Sequence, residues 1–219
     1  MDDQKNQDQI LRKDARGCFV ESLSDSFTFG KAHFAFASYD VSKPAGHRQT
    51  NSIHIYMDIA ELMEIGRQLA GGEMRFLLQQ KRKAGDRSPI RQWLGGTSAE
   101  KLRSSGRPRP DGKSLSRTAQ LLCGSKTDFL LVAESGPGET NEKGLIVPRF
   151  GNKPENHVAI SLSFDAFSEL ILVTEAHYRS WLTAWYLSKE QEVQQKASKR
   201  PAVFPMPMAV PEKSPISMF

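Results

Sequence analysis

The residues able to do chemistry are few and scattered. Histidines stand at His33, His47, His54, His157 and His177, and the only cysteines are Cys18 and Cys123. No HExxH, CxxC, Walker glycine loop or GxSxG spacing joins them. Asp128, Glu134, Glu139 and Glu142 gather around Gly136 and Gly138, which reads as a solvated turn rather than an acid–base pair. Two cysteines so far apart argue against both a disulfide framework and a zinc site. The expectation is no catalytic residue, no metal, no cofactor, and no enzyme.

Binding chemistry is better supplied. A single nucleic-acid strand needs cations for its phosphates and flat faces for its bases. Net charge is +5. Between Arg75 and Arg117 twelve basic residues face three acidic ones, so that segment carries +9 and the rest of the chain is acidic by four. A basic segment on a near-neutral body is an electrostatic footprint for polyanions, although a solvated linker is often basic too.

Period-two spacing sorts the strand residues. Phe34, Phe36, Ile53 and Ile55 share one face and read as core, which puts Tyr39, Tyr56, His33, His54 and Lys31 on the other. With Arg48, these are the candidate contacts of the first half. In the basic stretch and the second half the candidates are Arg87, Arg91, Arg103, Arg107, Arg109, Lys113, Arg117, Lys126, Arg149 and Lys153. Singly, each cation reads better as a solvated charge, and the tyrosines read equally as ordinary cross-strand pairs. Only the ensemble argues for binding.

The elements that must position these residues centre on a stretch that occurs twice. Ser52-Ile53-His54-Ile55-Tyr56-Met57-Asp58-Ile59 aligns without a gap on His157-Val158-Ala159-Ile160-Ser161-Leu162-Ser163-Phe164, 105 residues later. In both copies the apolar period switches from two to about three and a half at the same place, which is a strand running into a helix. Asp58 and Ser163 occupy the hinge, and both are good N-caps. Cys18 and Cys123 share the same offset and read as buried residues on equivalent first strands.

The spacing predicts strands over 17–23 and 52–57, one long strand or a tight pair broken near Gly30 over 27–39, a helix over 59–70, and a stop or kink at Gly71-Gly72 with a basic helical continuation. Residues 85–113 read as a basic linker in which Ile90, Trp93 and Leu94 dock as a helical turn. The second half reads as strands over 114–123, 128–135, 144–150 and 157–162, with a turn at Gly136-Pro137-Gly138. A helix over 164–195 follows, with a Tyr178, Trp181 and Trp185 stripe suited to a partner helix. Residues 1–16 read as a loose N-terminus and 196–219 as a disordered Pro- and Met-rich tail. No apolar run reaches 18 residues and no signal-peptide core opens the chain, so a cytoplasmic protein without membrane contact is expected.

The plan is thus an α+β protein of two tandem ββββα units, 17–84 and 114–195, packed as a pseudo-twofold pair of antiparallel sheets with clasping helices. They would bury Ile59, Leu62, Phe164, Phe167 and Leu170. That plan resembles the Whirly and PUR-repeat families and the positive-cofactor transcriptional coactivators. Of the Whirly lysine-glycine-lysine-alanine run only Gly30-Lys31-Ala32 is present. Separately, Leu94-Gly95-Gly96-Thr97-Ser98-Ala99-Glu100, the run from Arg107 to Arg117, and Glu142-Lys143-Gly144-Leu145-Ile146-Val147-Pro148 resemble small proteins of Gram-positive conjugative elements.

These resemblances imply largely sequence-independent binding of single-stranded DNA in replication or transfer of a mobile element, with RNA as a further ligand. The alternatives are transcriptional regulation and an accessory protein. The accessory protein would dimerise through its C-terminal helix and dock on a relaxase or replication protein.

Overall fold

A computed structural model describes residues 7–151 and 153–198. It is an α+β fold with two antiparallel sheets, of four and five strands, and four helices. The first sheet has the order β1-β2-β3-β4: Gln9–Ala15, Cys18–Leu23, Lys31–Tyr39 and Gln49–Asp58. The second joins β5 (Arg91–Thr97), β6 (Ser114–Cys123), β7 (Phe129–Thr140) and β8 (Ile146–Pro148). Its fifth strand, β9 (Asn156–Leu162), pairs with β7 beside β8.

Strand β1 lies where a loose terminus is expected. Its sequence is charged, and its apolar content is low. The strand is held by its ladder with β2 and by Ile10 and Ala15, which pack against the core, and its charged side chains have partners. Arg12 ion-pairs with Asp14 at 2.7 Å and lays its guanidinium 3.6 Å from the centre of the Phe19 ring, while Lys13 pairs with Glu169. Such a charged edge strand also discourages pairing with another chain. The stretch 27–39, expected as one long strand or a tight pair broken near Gly30, does break there, but its first part is not a strand. Phe27–Phe29 is a 3-10 turn, and Gly30 then takes a left-handed φ of 67° before β3 begins.

Strand β4 runs straight into helix α1 (Ile59–Ala70), as the change of period requires. Asp58 does not cap that helix with its side chain. It pairs with Lys31, its neighbour in register, at 2.6 Å. Gly72 turns the chain at φ 78° into α2 (Glu73–Ala84). Ser163 does cap its helix: the backbone N–H of Ala166 donates to Ser163 Oγ at 3.1 Å.

The basic stretch is ordered structure rather than a bare linker. It contains β5 and a short helix α3 (Ala99–Ser104), capped by Ser98. Trp93 docks as expected but from a strand, not a helical turn. It is buried, its neighbour Leu94 is 52% exposed, and the alternation is that of a sheet. Strand β7 likewise continues through Gly136-Pro137-Gly138, where a turn is expected. Both glycines allow close approach: a Cβ on Gly138 would meet the backbone N of Ser116 at 2.9 Å. The acidic residues therefore do not cluster on a turn. Glu134 pairs with His157 at 3.0 Å and Glu139 with Arg149 at 2.5 Å, while Asp128 accepts the backbone N–H of Phe164 at 2.8 Å. The cysteines are not equivalent either, since Cys18 opens β2 and Cys123 closes β6.

One apolar core joins Phe34, Phe36, Ile53 and Ile55 of the first sheet to Leu121, Phe129, Leu131 and Ile160 of the second. Ile59, Leu62, Phe164, Phe167 and Leu170 are all buried in it. Each fully buried side chain of this size contributes about 1.5–3 kcal/mol. Helices α1 and α4 (Phe164–Ser198) approach closely at Gly66, where a Cβ would lie 3.4 Å from a methyl carbon of Leu172. The compact body ends at Trp181. Beyond it α4 continues to Ser198, with Trp185 and Tyr186 edge to face at 5.0 Å. The tail from residue 199 lies outside the described residues. No helix among the described residues is long and apolar enough to cross a membrane.

Candidate nucleic-acid interface

The alternation of β3 and β4 puts Tyr39, Tyr56, His33 and His54 on the face opposite Phe34, Phe36, Ile53 and Ile55. Register builds that face in rows. His33 lies between Leu23 and Tyr56, Ala35 between Glu21 and His54, and Ala37 between Phe19 and Ser52. Arg12 of β1 extends the Glu21 row and Asp14 the Phe19 row. The two alanines are buried between taller side chains, at 3% and 1% exposure.

The face is not uniformly open. His33 is only 3% exposed, whereas Tyr56 is 51% exposed. Their rings stack with centroids 4.5 Å apart and planes 22° apart. His33 is held from both sides: Nδ1 lies 2.8 Å from Asp25 Oδ1, and Nε2 lies 2.8 Å from His54 Nδ1. His54 Nε2 in turn lies 3.0 Å from Ser52 Oγ. The network assigns the tautomers. Asp25 accepts from His33 Nδ1; with both rings neutral, His54 then donates from Nδ1 to His33 Nε2 and the Ser52 hydroxyl donates to His54 Nε2. Four groups from the β2–β3 connection, β3 and β4 thus form one directed chain.

Arg117 of β6 comes within electrostatic reach of this chain from the second sheet. Its guanidinium donates to Thr97 Oγ1 at 3.0 Å and has no carboxylate partner among the described residues. Gly95, its neighbour in register on β5, offers no side chain beside it. Burial lowers the pKa of Arg117. Burial, His33 and Arg117, in that order, hold His54 below the ordinary imidazole value. Burial first, and Asp25 second, push the Tyr56 phenol up. At neutral pH the site therefore presents a neutral His54, a neutral Tyr56 and a charged Arg117.

A second station lies on the same side of the sheet, at the far end of β3. Arg12, Phe19, Tyr39 and Arg48 line an open groove. Phe19 and Tyr39 have ring centroids 6.3 Å apart, and the Tyr39 hydroxyl donates to Ala15 O at 3.2 Å. Arg12 already covers the Phe19 ring and pairs with Asp14, so Tyr39 and Arg48 are the groups left to face a base and its phosphate.

The other expected contacts fall into two groups. Some already have protein partners. Lys31 pairs with Asp58, Arg149 with Glu139, and Arg109 with both Asp111 at 2.9 Å and Glu155 at 2.7 Å; Arg91 donates to Gln68. Arg109 acts as a rivet for its loop. The rest are exposed: Arg87, Arg103, Arg107, Lys113, Lys126 and Lys153 have no ion pair among the described residues. Sequence spacing did not point to Asp25, Ser52, Arg12 or Phe19. Asp25 and Arg12 sit in segments read as connection and loose terminus. Ser52 is recognisable only once His54 is known to lie beside it.

Among the described residues no group of His, Cys, Asp and Glu is arranged to hold a metal ion. The chain gives no significant match to a family model, a curated protein or a solved structure.

Proposed function

We propose that the chain binds single-stranded DNA, with little sequence preference and without catalysing a reaction on it. One observation carries this reading. The Tyr56 ring stands half out of the sheet, stacked on a fixed His33, and Arg117, which has no carboxylate partner among the described residues, lies within electrostatic reach. Tyr56 supplies a stacking surface, Arg117 a cation for the adjoining phosphate, and Tyr39 with Arg48, in the groove they line with Arg12 and Phe19, a second pair. The exposed arginines and lysines of residues 87–113 add long-range attraction. Stacking is worth roughly 1–3 kcal/mol per base, so two stations give useful affinity without reading base edges.

The same reading treats the two sheet–helix halves as tandem ββββα copies packed as a pseudo-twofold pair. The strand-to-helix hinges at Asp58 and Ser163 support it, as do the sequential strand orders β1-β2-β3-β4 and β5-β6-β7. A role on the strand exposed in transfer or replication of a mobile element agrees with both. Binding of matched single-stranded DNA, duplex DNA and single-stranded RNA at two salt concentrations tests the proposal. Preference for a single strand with affinity falling steeply with salt supports it; equal binding to every polyanion, or none, overturns it.

A second reading rests on α4 beyond Trp181. Tyr186, Leu187 and Val193 are all more than half exposed there. On this reading the helix end assembles two copies or docks on a replication or transfer protein. Replacing all three by Ser would then turn a dimer into a monomer in sedimentation, with strand binding retained.

A further inference from the structure

We infer that the outer edge of β4 is an interaction surface whose partner is the same edge of a second copy of this chain. The two edges pair antiparallel about Ile55 and join two four-stranded sheets into one. This goes beyond the strand-binding reading and is tested without nucleic acid.

The hydrogen bonds of β4 leave its outer edge open. β4 is the last strand of its sheet and pairs only with β3. In an antiparallel ladder, opposed residues alternate between pairs that exchange N–H···O bonds and pairs that do not. The backbone N–H of Ile59 donates to Gly30 O at 3.1 Å, and this pair continues the register of Asp58 with Lys31. The alternation is thereby fixed. Ile53, Ile55 and Met57 turn their N–H and C=O groups toward β3. Ser52, His54 and Tyr56 turn theirs away, where no backbone group or side chain among the described residues meets them. Unpaired backbone groups need water or another strand.

The two edges of this sheet are built differently. β1 carries Arg12, Lys13 and Asp14 and an irregularity between Gln9 and Leu11, and both features discourage a further strand. β4 keeps an unbroken register with β3 from Asn51 to Asp58. Its one charged residue is Asp58, which Lys31 already holds at 2.6 Å. A regular, nearly uncharged edge with spare donors and acceptors is the kind that an extended strand completes.

The strand that fits is β4 itself. Pairing about Ile55 sets Ile53 opposite the second copy's Met57, and Ile55 opposite its own counterpart, so the apolar face continues across the junction. On the other face His54 lies opposite the second copy's Tyr56, and Ser52 opposite the second copy's Asp58. His54 and Tyr56 have outward N–H groups, so this pair exchanges bonds. No like charges meet. Centring the pair on His54 instead would set Asn51 against Met57 and break the apolar match. The contact is the same patch on both copies, so it closes as a dimer. It also brings both Tyr56 rings onto one sheet face, beside the axis.

The experiment uses the full chain alone. Sedimentation over a concentration series should show a monomer–dimer equilibrium reaching dimer below about 1 mM. In amide hydrogen exchange, the N–H groups of Ser52, His54 and Tyr56 should slow by about tenfold or more in the dimer and be released on dilution. Ser52→Asp sets a carboxylate opposite Asp58 at both ends of the junction and should weaken the dimer several-fold. Ser52→Lys sets opposite charges there and should leave it as tight or tighter.

A monomer throughout the series overturns the proposal. So does a dimer in which these amides still exchange freely, or one that the two Ser52 variants weaken equally. A dimer untouched by Ser52→Asp but abolished when Tyr186, Leu187 and Val193 become Ser belongs to α4, and overturns the proposal as well. The strand-binding reading is decided separately, by the oligonucleotide measurements.

Discussion

Phe27 meets Tyr178 edge-on, with ring centroids 5.3 Å apart and planes at 84°, and Trp181 closes on the same ring at 5.8 Å. Phe27 belongs to a 3-10 turn in the first half of the chain, and its two partners to the last helix. The start of β3, which carries His33, is thereby fixed to α4. Phe27 is 2% exposed. Phe27→Ala should cost about 3–5 kcal/mol by the usual range for a buried aromatic. Urea unfolding followed by tryptophan fluorescence checks this, since Trp181 should shift toward solvent-like emission before global unfolding.

Tyr56 should behave in the opposite way. It is half exposed and its hydroxyl makes no bond to the protein among the described residues, so Tyr56→Ala should leave the unfolding midpoint close to wild type. Single-strand affinity should drop by roughly 5- to 150-fold, the equivalent of 1–3 kcal/mol of stacking. Unchanged affinity would remove Tyr56 from the interface.

Trp93 contributes bulk to the core but leaves its indole N–H without a partner. Trp93→Phe removes that unpaired donor along with some volume, two effects of opposite sign, and should change stability by about 1 kcal/mol or less. Trp93→Ala keeps only the loss and should cost about 3–5 kcal/mol. Paired denaturation curves distinguish the two.

Acid should weaken the fold through two carboxylates. Glu64 is held down to about 2 by Arg67 and then Gln68, and Asp86 to about 2 by Lys81 and then Ser88. Both are depressed acids, so their contribution is whole above the ordinary carboxylate range and is lost as pH falls from there toward 2. The Glu64→Gln, Asp86→Asn double variant should have a lower urea midpoint at neutral pH. It should also lose less stability than wild type between pH 4 and pH 2.

Both thiols should be slow to react. Burial is the main cause raising each of them, with Asp14 adding to it at Cys18. Labelling with a thiol reagent near pH 8 should be slow in the native state and rapid in urea, and slower at the buried Cys18 than at Cys123. Prompt labelling of Cys18 would mean that β2 opens readily.

How much was legible depends on where periodicity was strong. The change of period at Asp58 and Ser163 placed two strands and two helices closely, because burial on one face imposes a single pattern on each. Alternation likewise put Tyr39, Tyr56, His33 and His54 on one side of the sheet. It failed in β1, where a register shift between Gln9 and Leu11 and the charged run Arg12-Lys13-Asp14 break the alternation of Ile10, Leu11 and Ala15. It failed again at β5 and through Gly136 to Gly138, where glycine and proline ordinarily signal turns. There, close packing of Ser116, Ile146 and Phe150 leaves no room for a side chain.

By itself the sequence determined the inward faces of β3 and β4, the helix starts, the concentration of basic charge and the lack of a familiar catalytic spacing. Each depends on neighbours along the chain. The tertiary structure alone decided which charges remain free. Arg109 and Arg117 look alike in the sequence, yet Arg109 is tied to Asp111 and Glu155 while Arg117 reaches the His33–His54 chain without a carboxylate. That difference depends on contacts across sheets and loops distant in sequence. The energy of a charge is set by what surrounds it in space.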